Sequence, residues 1–143
     1  MKKSILLLFI LFTAIASART DSLLSIWENK AMPDSSRIIA LAKYISFNVI
    51  NTNPDSAKSL NDELYLFSEM KKNEIGLSEA YNNYAILCSY GGDYRKALDY
   101  LSKGLKVNEK LKSKSRITNS LTNIAYMYNY LGEYDLALNY NKR

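Results

Sequence analysis

The sequence predicts an all-α solenoid in which antiparallel helix pairs stack side by side, about three copies of a 40-residue unit following an N-terminal signal peptide. Three observations carry this expectation. The sequence resembles itself at an offset of 40 positions, as Gly92 against Gly132 and Ala97 against Ala137 show. Apolar residues within each copy recur at i, i+3, i+4 and i+7, the spacing of one helix face. Glycine is 5 and proline 2 in 143 residues, too few for a turn-rich all-β domain, while 48% hydrophobic residues suffice for a core.

The repeat is clearest between Gly91–Leu101 (GGDYRKALDYL) and Leu131–Asn141 (LGEYDLALNYN). Tyr94 aligns with Tyr134 and Tyr100 with Tyr140; a weaker upstream copy places Ala57 before Ala97 and Tyr44 before Tyr84. Each copy reads as two helices. In the middle copy Tyr81, Tyr84, Ala85 and Cys88 form the apolar stripe of the first helix, and Gly91–Gly92 ends it by accepting the left-handed conformation. Tyr94, Ala97, Leu98, Leu101 and Leu105 form the stripe of the second. The last copy repeats this with Leu121, Ile124, Ala125 and Tyr128, a Leu131–Gly132 turn, then Tyr134, Ala137 and Leu138. The first copy turns differently: Asn53 is placed to cap the second helix and Pro54 to occupy its first position, where no amide hydrogen bond is lost. Alanine at 57, 97 and 137 marks where two helices approach closely. The array spans 33–143, with units at about 35–74, 75–114 and 115–143, the last incomplete.

Residues 1–18 read as a secretory signal peptide: Lys2 and Lys3, an apolar run from Ser4 to Ala16, and a small-residue cleavage site at Ala16–Ala18. That run is shorter than the ~20 residues that span a bilayer. Cleavage leaves an exported, periplasmic or extracytoplasmic chain with no membrane segment of its own. It also changes the formal charge from 19 − 14 = +5 to 17 − 14 = +3, which does not call for nucleic acid. The basic stretch Lys103, Lys106, Lys110, Lys112, Lys114 and Arg116 has no interleaved aromatics and reads as a solvated helix face and loop. Residues 19–32 read as an N-terminal capping helix, with Trp27 closing the first helix pair together with Leu23, Leu24 and Ile26. Cys88, the single cysteine, excludes an internal disulfide and is expected as a buried thiol.

These residues resemble the tetratricopeptide (TPR) signature, W-x2-L-G-x2-Y, then A-x3-F-x2-A, then P. In the middle copy Tyr81 stands for the Trp, Tyr84–Ala85 for Leu-Gly, Cys88 for the Tyr, and Ala97, Leu101 and Gly104 for the Ala, Phe and Ala. In the last copy Leu121, Ile124–Ala125, Tyr128 and Ala137 correspond, and Asn83 and Asn123 stand where the family often carries asparagine. The unit departs from the family's 34 residues; the excess is expected in a longer second helix and in the loop near Lys112–Ser115. The closing proline is absent, Glu109 standing there. The segments Asp21–Leu41 and Asn53–Ala57 further resemble the N-terminal region of exported repeat proteins of Bacteroidetes, many of which continue into a transmembrane helix and a histidine-kinase or helix-turn-helix output domain.

The resemblance implies a non-catalytic protein–protein interaction module that binds a protein or peptide in its concave groove. The groove positions it implies are Asn82, Ile86, Ser89 and Tyr90 in the middle copy and Thr122, Tyr126, Asn129 and Tyr130 in the last. The alternative is the N-terminal sensory fragment of a transmembrane signalling protein. The last helix begins near Tyr134 and runs only to Arg143 without a cap. The expectation is therefore a fragment of a longer chain, or a short protein whose open C-terminal repeat pairs with a partner or a second copy. No catalytic, cofactor or metal site is expected: histidine is absent, one cysteine makes no thiolate zinc site, and Gly91–Gly92 is too short for a phosphate loop.

Overall fold

The computed structural model describes residues 22–143; the signal-peptide reading of 1–18 lies outside the described residues. Helix α1 covers 22–28. It is followed by α2 (Asp34–Tyr44), which runs on into a π-helical segment (Ile45–Val49), then α3 (Pro54–Met70), α4 (Glu74–Tyr90), α5 (Tyr94–Lys110), α6 (Lys114–Tyr130) and α7 (Tyr134–Asn141). Successive helices pack on one another, and α2 also touches α4. The first helices of the pairs, α2, α4 and α6, form one layer, here the inner face. The second helices, α3, α5 and α7, form the outer face.

The helix ends explain the regular stacking. Lys72, Gly92, Lys112 and Gly132 all have φ between 51° and 77°. The residue after each donates its amide back to a carbonyl five positions earlier: Asn73 to Ser68 (2.8 Å), Asp93 to Cys88 (3.0 Å), Ser113 to Asn108 (3.2 Å) and Glu133 to Tyr128 (2.9 Å). This is one left-handed C-terminal motif used four times. The same donors stand at the N-cap of the next helix. Asn73 Oδ1 accepts from the Gly76 amide (2.9 Å) and Asp93 Oδ1 from the Lys96 amide (3.1 Å). The first pair turns as expected, with Asn53 Oδ1 accepting from the Ser56 amide (3.0 Å) and Pro54 in the first position.

The repeat length is accommodated differently from the expectation. The six residues beyond a 34-residue unit do not collect in the second helix and the Lys112–Ser115 loop. Helices α3, α4, α5 and α6 are each 17 residues long. Every turn between them spans three residues, so the excess is shared equally by both helices of a pair.

The core consists of two apolar clusters. Trp27, Ile38, Leu41, Ile45, Ile50 and Leu64 lead the first, and Ala97, Leu101, Leu105, Leu121 and Ile124 the second. Ala57, Ala97 and Ala137 are buried as close-approach positions. Trp27 closes the N-terminal end, meeting Phe67 edge-on at 5.1 Å with the Arg37 guanidinium 5.0 Å from its ring. Two asparagines with 0% exposure bind the layers: Asn83 Nδ2 donates to Asn61 Oδ1 (3.0 Å), and Asn61 Nδ2 to Ala80 O (2.9 Å). Pairing of this kind is what makes a buried amide tolerable. Cys88 is half-buried rather than buried, because its helix face looks toward an open groove between α3 and α5. Burial still pushes its thiol pKa up.

Candidate functional site

The inner face carries two adjoining hollows. One, of about 320 Å³, lies between α4 and α6 with α5 as its floor. Its lining is mostly amide and hydroxyl: Asn82, Asn108, Asn119, Ser120, Thr122 and Asn123. Asn123 Nδ2 donates to Asn82 Oδ1 (2.9 Å), joining the two walls. Deeper in, the Ser78 hydroxyl donates to Asn108 Oδ1 (2.8 Å), and Asn108 Nδ2 to Ser120 Oγ (3.0 Å). Bonded among themselves, these side chains are held in place, and each exposed amide retains donor or acceptor capacity.

The second hollow, of about 410 Å³, is apolar and lies between α2 and α4, lined by Ile38, Ile39, Phe47 and Ile75. Phe47 is 73% exposed. The π-helical segment explains this placement. The Ile50 amide donates to Ile45 O (2.9 Å), five residues back, so Ile45, Val49 and Ile50 all turn inward and Phe47 is left outside. Glu79 and Arg116 line both hollows and are joined by an ion pair across the boundary, each side chain about one-third exposed.

Of the eight groove positions implied by the resemblance, the structure brings Asn82 and Thr122 together in the amide hollow. The other six do not line that hollow. Ile86 packs on the first core cluster, and the Ser89 hydroxyl donates to the Ile86 carbonyl of its own helix (2.7 Å). Tyr90 is exposed, and its hydroxyl donates to Asn51. Tyr126 and Asn129 are exposed on α6. Tyr130, at the end of α6, stacks on Tyr94 with ring centroids 5.0 Å apart. Phe47, Ile39, Glu79 and Arg116 escape a reading based on repeats. Phe47 sits in the irregular segment of the weakest copy, and the Glu79–Arg116 pair joins residues from two different copies.

The basic stretch is not uniformly solvated. Arg116 is held by Glu79 and Lys110 by Glu74, because the repeat geometry sets the end of α5 and the start of α6 beside α4. On the outer face the Tyr84 hydroxyl donates to Asp62 Oδ1 (2.6 Å), and Lys58 Nζ to Asp62 Oδ2 (2.8 Å). Burial works against the charge on Asp62, but these two hydrogen bonds outweigh it and lower its pKa. The Tyr84 pKa is raised, first by burial and then by its bond to Asp62. That of Tyr65 is pushed up to about 12, chiefly by its hydrogen bond to Glu69. Among the described residues, no group of three or more acidic or cysteine side chains is arranged to hold a metal ion, and no helix is long and apolar enough to cross a membrane.

The sequence model of the Tetratricopeptide repeat family matches residues 76–143. The crystal structure of the TPR domain of Arabidopsis FLU superposes with a TM-score of 0.65 at 22% identity, over 77% of this chain and 92% of that one. At that identity the likeness speaks to the fold alone. No curated protein matches the chain.

Proposed function

We propose that this chain, whose residues 76–143 match the tetratricopeptide-repeat family and whose fold is that of a TPR domain, is a non-catalytic scaffold whose inner face binds an extended peptide of a partner protein. The observation that carries this reading is the pairing of an amide-lined hollow with an apolar one along a single face. An extended peptide offers an N–H and a C=O at each residue. Asparagine side chains satisfy both, whatever the peptide's own side chains. The Phe47 hollow supplies what the amides cannot, a desolvated seat for one large apolar anchor. The Glu79–Arg116 pair between them is already neutralised, so it favours neither sign of charge in the ligand.

The signal-peptide character of residues 1–18 supports action outside the cytoplasm. The resemblance of Asp21–Leu41 to exported repeat proteins supports a second reading, a sensory segment of a transmembrane signalling protein. Reading the coding DNA past Arg143 separates the two: a transmembrane helix and an output domain support the sensor, and a stop codon supports the lone scaffold.

The binding site itself is tested with a peptide selected from a display library on the purified chain. Asn82→Ala and Phe47→Ala should each weaken it about tenfold, the order of a lost charge-free hydrogen bond or a partly buried aromatic contact. Neither should alter the thermal melt by more than a few degrees. Unchanged affinity in both variants moves the site off this face.

A further inference from the structure

We propose that the outer face carries a second binding site, a groove between α3 and α5 that takes an acidic peptide segment with an aromatic or aliphatic residue at its centre. The groove holds about 500 Å³ and is floored by tyrosines of three helices: Tyr65 of α3, Tyr81 and Tyr84 of α4, and Tyr100 of α5. Tyr84 and Tyr100 stack with centroids 5.0 Å apart, and Tyr65 lies 5.8 Å from Tyr81 and 6.2 Å from Tyr84. All four rings are only half-buried. They form an amphipathic floor of the kind enriched at protein interfaces, with phenol hydroxyls beside apolar ring surface.

The rim decides the ligand. Lys58, Lys96 and Lys103 border the groove against one carboxylate, Asp62. Asp62 is already occupied by Lys58 and by the Tyr84 hydroxyl. Among the described residues, neither Lys96 nor Lys103 takes part in an ion pair within 4.0 Å, and Lys103 Nζ lies over the Tyr100 ring at 5.4 Å. A cationic rim over an amphipathic floor is complementary to carboxylates flanking an apolar side chain. A single-stranded nucleic acid fits less well. Base stacking needs open ring faces, and here Tyr84 and Tyr100 cover each other while Lys103 sits over Tyr100. With the inner face engaged separately, a chain with this groove can hold two partners at once.

The test is fluorescence anisotropy of the purified chain with a fluorescein-labelled Glu-Glu-Phe-Glu-Glu peptide at low salt. Saturable binding is expected, and Lys96→Glu with Lys103→Glu should weaken it at least about tenfold, since two attractions become repulsions. Lys106→Glu with Lys114→Glu changes the net charge equally at exposed positions outside the groove and should cost no more than about threefold through the general field. Tyr100→Leu removes the phenol while keeping apolar bulk, and should weaken binding; if it unfolds the chain, the contrast between the two charge variants still decides the matter. The inner-face variants Asn82→Ala and Phe47→Ala should leave this affinity unchanged, which keeps the outcome separate from the inner-face reading. The proposal is overturned by absence of saturable binding, by equal loss in the two charge variants, by loss in the inner-face variants, or by an oligothymidine strand that displaces the peptide.

Discussion

Two glycines in neighbouring helices should respond to the same substitution with opposite signs. Gly76 lies in the first turn of α4, and Gly104 in the interior of α5. A Cβ at Gly104 would sit 3.6 Å from Tyr81 Cβ and 3.8 Å from Ser78 O, ordinary contact distances. Gly104→Ala therefore keeps the packing and gains helix propensity, about 0.5–1 kcal/mol. A Cβ at Gly76 would meet Ser68 Oγ at 2.1 Å, Ile38 Cγ2 at 2.6 Å and Ser68 Cβ at 2.9 Å. Ser68 and Ile38 are both fully buried, so Ser68 Cβ and Ile38 yield only if α2 or α3 shifts. Overpacking of this kind costs about 1–3 kcal/mol, and less propensity is recovered in a first turn. Gly76→Ala should thus destabilise by about 1–2 kcal/mol net. At about 4 °C per kcal/mol for a chain of this size, the two variants should melt on either side of the wild type, some 6–12 °C apart. Circular dichroism during heating, checked by urea unfolding, reads this directly. Stabilisation by both substitutions, or equal loss from both, would refute the three-helix packing described for α2, α3 and α4.

Further predictions rest on the turns, the alanine seats and the tyrosines. Lys112 has φ of 52° where Gly92 and Gly132 do the same work without a Cβ; Lys112→Gly should raise stability by about 0.5–1 kcal/mol, while Gly132→Ala should lower it by about 1 kcal/mol, both read from urea unfolding midpoints. Ala97 has no exposed surface; Ala97→Arg should cost several kcal/mol, on the order of the largest overpacking and buried-charge effects, and an unaltered melt would discard the close-approach role of this position. The folded pKa of Tyr84 lies above the ordinary value of 10. The stability that this hydroxyl contributes is therefore fully present below pH 10 and lost as pH rises through the raised folded value. Urea unfolding followed across that alkaline range should show a decline that is shallower in Tyr84→Phe; identical slopes would remove the Asp62 bond as its cause.

The 40-residue unit and the 20-residue unit differ in how far they are visible in the sequence. Positions 40 apart repeat residue identity, as in Tyr94 and Tyr134. At the left-handed turns, neighbouring positions 20 apart repeat backbone conformation without repeating identity. Lys72, Gly92, Lys112 and Gly132 share one left-handed turn although two of them are lysine. A non-glycine residue tolerates that conformation at a cost of about 1 kcal/mol, which packing across a helix pair absorbs. The equal 17-residue helices are therefore hidden from any search for matching letters.

By itself the sequence determined that the chain is helical, that it repeats, where Asn53, Gly92 and Gly132 turn it, and that Ala57, Ala97 and Ala137 and Trp27 lie inside. These are local matters: periodicity selects a helix face, and capping or left-handed residues end a helix. Tertiary structure decided the sites. Glu79 and Arg116 meet from different copies, Phe47 emerges because a π turn redirects it, and Tyr65, Tyr81, Tyr84 and Tyr100 converge from three helices onto the outer groove. A helical period shows which residues share a face. Which neighbouring helix covers that face, and which residues remain open to a ligand, depends on contacts between segments far apart in the chain.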